Sequence, residues 1–190
     1  MRFLFSIITI VWLSGCAPTT DDLYNKAGKL IDKKRYSEAI KVYDQILKKN
    51  PGFEDAQLSK AWCYLQDSNY AKAVHFFNLL LDRKNPGNSE FVFEVNPNGP
   101  LATEEDRRKV TRSEIYYHFA VTEYMMDSLR SAYRKFQYCV DNNYEVGTSY
   151  IWQGIIWLQS DDSVKACEFF RKSKFSGDKE ADYYINEYCR

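Results

Sequence analysis

The chain resembles itself at a shift of 34 residues, and this period limits its possible folds more than any other feature. The aligned pairs are Ala27 with Ala61, Tyr36 with Tyr70, Ala39 with Ala73 and Tyr43 with Phe77 in one half, and Ala120 with Gly154, Ala132 with Ala166 and Phe136 with Phe170 in the other. The halves are separated by an insertion of 25 residues at about 86–110. A period of this length predicts a stack of similar units, each too small to bury its own apolar face.

The residues inside each unit predict helices. Apolar side chains recur three and four positions apart, as in Ile40, Tyr43, Ile46 and Leu47. Small residues such as Ala27 and Ala39 allow two helices to approach closely. Polar breaks, for example at residues 32–35, separate the helices of each pair. Since 190 residues correspond to one domain, the sequence predicts a single all-α stack of hairpins.

The period and these residue types resemble the tetratricopeptide repeat. The resemblance implies a short right-handed α-solenoid of about four helical hairpins over residues 23–190, with the insertion between repeats two and three. We expect residues 179–190 to form a capping helix that shields the last apolar face. The sequence departs from the family pattern where Lys26, Lys60 and Gln153 replace a leucine and where Glu123 replaces an aromatic residue.

The first 15 residues have the pattern of a signal peptide. An apolar stretch from Phe3 to Leu13 is too short to span a bilayer, and it leads into Leu13-Ser14-Gly15-Cys16. This motif resembles the bacterial lipobox, which implies acylation of Cys16 and a lipidated tether at residues 16–22. Because Ala17 is not the aspartate of inner-membrane retention signals, we expect the outer membrane, with the periplasmic and surface faces both open. An ordinary secretory signal is the alternative.

In this family the first helices of the hairpins line a concave groove that holds a partner segment. The resemblance places eleven residues there, and most are apolar or aromatic. They are Tyr24, Ile31, Leu58, Trp62, Leu65, Tyr117, Val121, Tyr124, Ile151, Ile155 and Leu158. Some members grip a C-terminal carboxylate with Lys and Asn, but Tyr24, Gly28, Leu58 and Trp62 stand at those places here. That activity is therefore not expected.

Two interpretations of this apolar groove stay open. It takes a partner segment, or it is filled from within the chain and its residues are core. In the insertion, Phe91, Phe93 and Val95 alternate with residues of the opposite face and suggest a short extended segment, and Thr103 suggests a helix start. One hypothesis is that Phe91 and Phe93 cover the groove, with a locally packed loop as the alternative.

Four cysteines remain after Cys16: Cys63, Cys139, Cys167 and Cys189. Their spacing does not match a zinc site, and the first three fall on helices of the expected core. We expect buried free thiols that pack as small apolar groups. If one disulfide forms, Cys167 and Cys189 are the expected pair, joining the last hairpin to its cap.

The sequence favours a binding protein over an enzyme. Its two histidines, His75 and His118, fit no metal-binding pair, and neither a nucleophile elbow nor a phosphate loop occurs. We therefore expect no catalytic residues, metal or cofactor. A net charge of zero argues against nucleic acid as a partner. The predicted function is a lipid-anchored adaptor in the bacterial envelope that binds other proteins; a carrier for a small hydrophobic ligand in the same cleft is the alternative.

Overall fold

A computed structural model describes residues 18–82 and 109–189. The signal peptide, Cys16, Phe91, Phe93, Val95 and Thr103 lie outside these residues, as does most of the insertion. The described residues form nine α-helices and no strand. The helices are α1 (Thr20–Asp32), α2 (Tyr36–Lys49), α3 (Glu54–Gln66), α4 (Tyr70–Leu81), α5 (Arg112–Met125), α6 (Leu129–Asp141), α7 (Val146–Gln159), α8 (Ser163–Phe175) and α9 (Ala181–Tyr188).

The helices form four consecutive antiparallel hairpins: α1 with α2, α3 with α4, α5 with α6, and α7 with α8. Each hairpin packs on the next, and α9 packs on α7 and α8 at the end of the stack. The predicted all-α solenoid of about four hairpins is thus confirmed. Among the described helices, none has the length and apolar character needed to cross a membrane.

Small residues and large rings alternate in the core, as the period predicts. The small residues of both helices are fully buried in every hairpin, which brings the two helices close together. One turn beyond the small residue of each second helix lies a buried ring. These rings belong to Tyr43, Phe77, Phe136 and Phe170, and none is more than 2% exposed. Each ring fills the space that the small residues leave open, so the same packing recurs in every hairpin.

The turn inside each hairpin follows the same period. One residue in each turn has a left-handed backbone, namely Lys34, Ser68, Asp127 or Asp161, with φ between 56° and 59°. The N–H of the following residue donates to a carbonyl five positions back, as from Arg35 to Leu30 at 2.8 Å. This is the Schellman ending of a helix. Four equivalent turns therefore reverse the chain in the same way.

Helix α1 begins three residues before the predicted start of the solenoid. Thr19 and Asp22 cap each other: the Thr19 hydroxyl oxygen accepts from the Asp22 N–H at 3.1 Å, and the Asp22 carboxylate accepts from the Thr19 N–H at 3.0 Å. This reciprocal capping stabilises a first turn in residues that were predicted to belong to the tether. At the other end, α9 is shorter than the predicted cap.

The insertion does not interrupt the stack. Helix α5 packs directly on α4, and Phe77 and Phe119 stack across this junction with ring centres 5.5 Å apart. Val110, predicted to be the last residue of the insertion, is only 3% exposed and packs in the same apolar cluster. Its N–H donates to the Glu54 carboxylate at 3.2 Å. The apolar side chain of Val110 therefore belongs to the junction between the two halves.

The polar residues that depart from the family pattern are accommodated by specific partners. Lys60 is 8% exposed, and its ammonium pairs with Asp44 at 2.6 Å. Gln153 is fully buried and donates to Gln137 at 3.1 Å. Glu123 pairs with Lys135 at 2.7 Å. Each of these three side chains thus has a polar partner on a neighbouring helix. In the described structure the second carboxylate oxygen of Glu123 and the amide oxygen of Gln153 are buried without a hydrogen-bond partner.

Candidate partner-binding surface

The first helices of the four hairpins lie side by side and form one face of the stack, which we call the inner face. Tyr24 of α1 reaches α3, where its hydroxyl donates to Asp55 at 2.7 Å and lies 2.9 Å from the Ser59 hydroxyl. Tyr124 of α5 reaches α7, where its ring centre lies 5.1 Å from that of Trp152. Side chains of neighbouring first helices thus contact each other along this face.

The eleven residues predicted for the groove divide into two groups. Leu58, Leu65 and Ile151 are 4%, 5% and 2% exposed, so they are core residues that support the inner face from below. The other eight are half-buried, and each keeps some surface in contact with solvent: Tyr24, Ile31, Trp62, Tyr117, Val121, Tyr124, Ile155 and Leu158. The structure therefore retains an aromatic and aliphatic surface, although a narrower one than predicted.

Contacts with the core fix the half-buried rings in place. The Trp152 ring stacks on Phe136 with an interplanar angle of 3° and a centroid distance of 5.7 Å. Trp62 meets Tyr36 edge-on at 5.8 Å, and Tyr117 meets Phe136 edge-on at 6.0 Å. Rings held in this way are pre-organised, so a ligand that covers them loses little conformational entropy in ordering them.

The inner face also carries polar residues that were not predicted from the sequence. Asp55 and Ser59 of α3 contact Tyr24, and a cleft of about 400 Å³ between α1 and α3 is lined by Asp21, Tyr24, Asn25 and Asp55. A signal for them exists: the 34-residue shift that aligns Ala27 with Ala61 also aligns Asp21 with Asp55. These acidic positions lie between the core positions that identify the repeat, and their recurrence alone does not indicate a shared surface.

The carboxyl groups at one edge of this face influence each other. Burial, and secondarily the nearby charge of Asp55, raise the pKa of Glu114 above its usual range. Burial likewise raises the pKa of Tyr117, and the charges of Glu145 and Glu180 raise it further. Negative potential therefore extends along this edge, from α3 to the start of α9.

His118 lies on α5 beside Tyr117. Burial lowers its pKa to about 4, so the imidazole is neutral at physiological pH. Its ring lies edge-on to Tyr117 with the centroids 5.4 Å apart. The described residues contain no group of three or more His, Cys, Asp or Glu side chains that could hold a metal ion.

The four cysteines after Cys16 divide into one disulfide and two free thiols. Cys167 and Cys189 form a disulfide between α8 and the end of α9, which is the pair expected if one bridge forms, so the expectation of a free buried thiol is wrong for Cys167. Cys63 and Cys139 are free and fully buried, and burial raises the pKa of each thiol to about 12. They pack as small apolar side chains and are not nucleophiles at neutral pH.

Comparison with known proteins agrees with this architecture. The tetratricopeptide repeat family model matches residues 30–91, about a third of the chain. The MamA "41-end" structure from Desulfovibrio magneticus RS-1 is similar with a TM-score of 0.58 at 20% identity, covering 82% of this chain and 74% of that one. The fold is a tetratricopeptide-type solenoid.

Two further MamA structures show the same fold. The MamA RS-1 ArsTM double mutant has a TM-score of 0.59 at 19% identity, covering 82% of this chain and 73% of its own. A second MamA crystal structure has a TM-score of 0.56 at 17% identity, covering 81% and 70%. No curated protein matches the sequence significantly. At these identities the similarity extends to the fold alone.

Proposed function

We propose that this protein is a non-enzymatic adaptor that holds a segment of a partner protein on its inner face. The observation that carries the proposal is the set of rings that are braced by the core but remain partly exposed, among them Trp62, Tyr124 and Trp152. Aromatic residues are enriched in protein interfaces, where they account for much of the binding energy. Tetratricopeptide-type solenoids offer an extended surface of this kind to partner proteins.

The polar cleft between α1 and α3 favours an adaptor over a carrier of a small hydrophobic ligand. Its lining residues Asp21, Tyr24, Asn25 and Asp55 present two carboxylates, an amide and a phenol. Burial of an apolar molecule against carboxylates would remove their hydration without replacing it. An extended polypeptide can instead pair its polar groups with these residues while its apolar side chains meet the rings.

The proposal further places the protein in the bacterial envelope, anchored by acyl chains on Cys16. Its support is the apolar stretch followed by Leu13-Ser14-Gly15-Cys16. The disulfide between Cys167 and Cys189 is consistent with an oxidising compartment such as the periplasm or the cell surface. More than one acyl chain on Cys16 would give a stable membrane attachment.

Site-specific photo-crosslinking in intact cells tests the adaptor function. A photoreactive residue at Tyr124 or Ile155 probes the inner face, and one at Glu168, exposed on α8, serves as the matched control. We expect a discrete adduct with one protein from both inner positions and not from the control, with the contact peptide identified by mass spectrometry. Adducts that form only at Glu168 would contradict the proposal.

The anchor is tested separately with Cys16→Ser. We expect the wild-type protein in the membrane fraction with Cys16 acylated, as measured by mass spectrometry of the N-terminal peptide. The variant should either leave the membrane fraction or remain there only with its signal peptide uncleaved. A Cys16→Ser variant that has lost its signal peptide and still resists a carbonate wash would show that a different element holds the protein in the membrane.

A further inference from the structure

The first helices of the stack all point in the same direction, so their N-termini meet at one edge of the inner face. A carboxylate lies at the start of every one of them. We call this set the acidic rim: Asp21 on α1, Asp55 on α3, Glu114 on α5, Glu145 before α7, and Asp178 and Glu180 before α9. Thr148 of α7 joins the last part of the rim by donating to Asp178 at 3.1 Å.

Lysine pairing is uneven along this edge of the described chain. Asp182, in the first turn of α9, pairs with Lys174 at 2.6 Å and is therefore not counted in the rim. Among the described carboxylates elsewhere, some, such as Asp44 and Glu123, pair with a lysine and others, such as Asp32, do not. Within the described ranges, five rim carboxylates form no ion pair with a lysine or arginine, namely Asp55, Glu114, Glu145, Asp178 and Glu180.

The helix dipole explains part of the rim, because a negative charge in a first turn is favourable. It does not explain why Asp55 and Glu114 lie close enough for the charge of one to raise the pKa of the other. Glu145 acts in the same direction on Tyr117 and Tyr144. Like charges brought together cost free energy, and a cation between them would recover it.

We infer that the partner segment is basic, with lysine or arginine side chains paired to the acidic rim and apolar side chains resting on the rings of the inner face. This inference rests on the proposed function and names the chemistry of its partner. Neighbouring packed helices lie about 8–10 Å apart, and an extended chain advances about 3.3 Å per residue. One basic residue in roughly every three would therefore meet successive carboxylates of the rim.

The cleft between α1 and α3 is the first of these contact points. Asp21 and Asp55 stand at equivalent positions of consecutive repeats, and both line it. Tyr24 donates to one oxygen of Asp55 and so holds the carboxylate in a fixed orientation. A lysine stem can lie along the Tyr24 ring while its ammonium group reaches the two carboxylates.

Fluorescence anisotropy with defined peptides tests the inference on the full chain in detergent. The probe is a labelled peptide of four lysine-leucine-serine triplets, and the control peptide carries glutamate in place of lysine. We expect saturable binding of the lysine peptide, no binding of the glutamate peptide, and an affinity that falls as salt is raised. Equal binding of both peptides, or no saturation with lysine at millimolar concentration, overturns the inference.

Charge-removing variants in the rim and away from it show where the lysine peptide binds. Asp55→Asn combined with Glu114→Gln removes two rim charges without changing side-chain size. We expect it to weaken the lysine peptide about tenfold or more and to reduce its salt dependence. Asp161→Asn combined with Glu168→Gln removes two charges elsewhere and should leave binding unchanged. Equal affinity in the rim variant and the wild type overturns the inference.

Variants of the aromatic residues test the proposed function separately from the charge of the partner. If Trp152→Ala and Tyr124→Ala weaken binding of either peptide while the rim variant does not, the inner face is a binding surface and only the basic partner is excluded. If the rim variant no longer binds the lysine peptide while the aromatic variants bind it as tightly as wild type, the interaction is electrostatic alone. That result contradicts the inference that the partner segment is both apolar and basic. Circular dichroism of each variant verifies that the helices are retained.

Discussion

At the scale of single residues, one methyl group distinguishes the last hairpin from the other three. Ala27, Ala61 and Ala120 occupy the close contact between helices, whereas the fourth hairpin has Gly154. A β-carbon on Gly154 would lie 2.7 Å from Cδ1 of Phe170 and closer still to Cε1, which is nearer than carbon atoms can approach. The stacking of Tyr184 on the Phe170 ring restricts how far that ring can move.

We therefore expect Gly154→Ala to destabilise the protein. Overpacking of a well-packed core costs about 1–3 kcal/mol, although alanine is the better helix former. Gly28→Ala is the matched control, because a β-carbon there meets no atom within 4 Å, and it should stabilise the protein by up to about 1 kcal/mol. Urea unfolding followed by circular dichroism measures both. A Gly154→Ala variant as stable as wild type would show that the Phe170 ring can move aside without loss of stability.

The pH dependence of stability should depend strongly on His118. Its pKa in the folded chain is about 4, below the ordinary value of 6.5, so protonation favours the unfolded chain. The contribution of the neutral imidazole is complete above pH 6.5 and is lost as the pH falls toward 4. Between pH 7 and pH 5 the free energy of unfolding should decrease by about 2 kcal/mol from this group.

His118→Gln isolates this effect. The variant should lose less stability than wild type between the two pH values, whereas His75→Gln, at an exposed histidine, should follow wild type. The raised pKa of Glu114 acts in the opposite direction, because its protonation favours the folded chain, but it is present in all three proteins. Parallel pH profiles for wild type and His118→Gln would contradict the low pKa.

At the scale of the helix, α9 occupies the place where a fifth hairpin would begin. Its single fully buried residue is Ala181, and Tyr184 stacks on Phe170 with ring centres 5.1 Å apart. The disulfide from Cys167 to Cys189 closes a loop with a sequence separation of 22. A short helix with one buried residue has few contacts of its own, so we expect the disulfide to supply much of its attachment.

Removing this disulfide should loosen the cap and little else. Cys167→Ser combined with Cys189→Ser should lower the free energy of opening of α9 by about 3 kcal/mol, the entropy of a closed loop of this length. Hydrogen exchange should therefore accelerate in residues 181–188 and remain unchanged in α1 to α4, because each repeat contacts only its neighbours. Cys139→Ala is the control that removes a thiol without a bridge. Unchanged exchange in α9 would show that packing alone holds it.

The sequence predicts the helices correctly because their contact residues follow the 34-residue period. Residue types at the helix contacts recur because the helices of every hairpin pack in the same way. The recurrence of Ala39 at Ala73 therefore indicates the repeated unit, and apolar residues three and four positions apart indicate that the unit is helical. The turn residues with a left-handed backbone cannot be identified from the sequence in the same way. Lys34 and Ser68 are not glycines, and the turn is imposed by the packing of the two helices rather than by local preference. Side-chain identity alone therefore could not predict this backbone.

The same limit applies to the candidate surface. Its aromatic part was predicted, but Leu58 and Ile151 proved to be buried, because helical register alone does not show how far a neighbouring helix covers a residue. The acidic rim was missed although Asp21 and Asp55 obey the period. Charged residues in a first turn have a local explanation, and only the parallel stacking of helices reveals that they meet.

At the scale of the whole molecule, the two halves form one stack because α4 and α5 pack together. The Phe77 ring is fully buried and Phe119 is 6% exposed at this junction. In a stack of repeats, stability is the sum of the units and the interfaces between neighbours. A weakened interface should therefore separate the unfolding of the halves rather than lower the stability of both uniformly.

Phe119→Ala should produce this separation. Loss of a buried phenylalanine costs about 3–5 kcal/mol, and here the loss falls on the interface between the halves. In wild type we expect the slowest amides of residues 20–82 and of residues 112–175 to exchange with the same free energy. In the variant the two sets should differ, since either half can open while the other remains folded. Hydrogen exchange with mass spectrometry measures both sets in one sample.

Phe175→Ala is the control, because that ring is 91% exposed and its loss removes no core contact. It should exchange like wild type in both halves. If Phe119→Ala lowers both sets equally, the halves are coupled through further contacts and the stack behaves as one cooperative unit. If the sets already differ in wild type, the junction is the weakest interface of the solenoid, and a partner segment that spans the inner face from α1 to α7 would join the two halves as it binds.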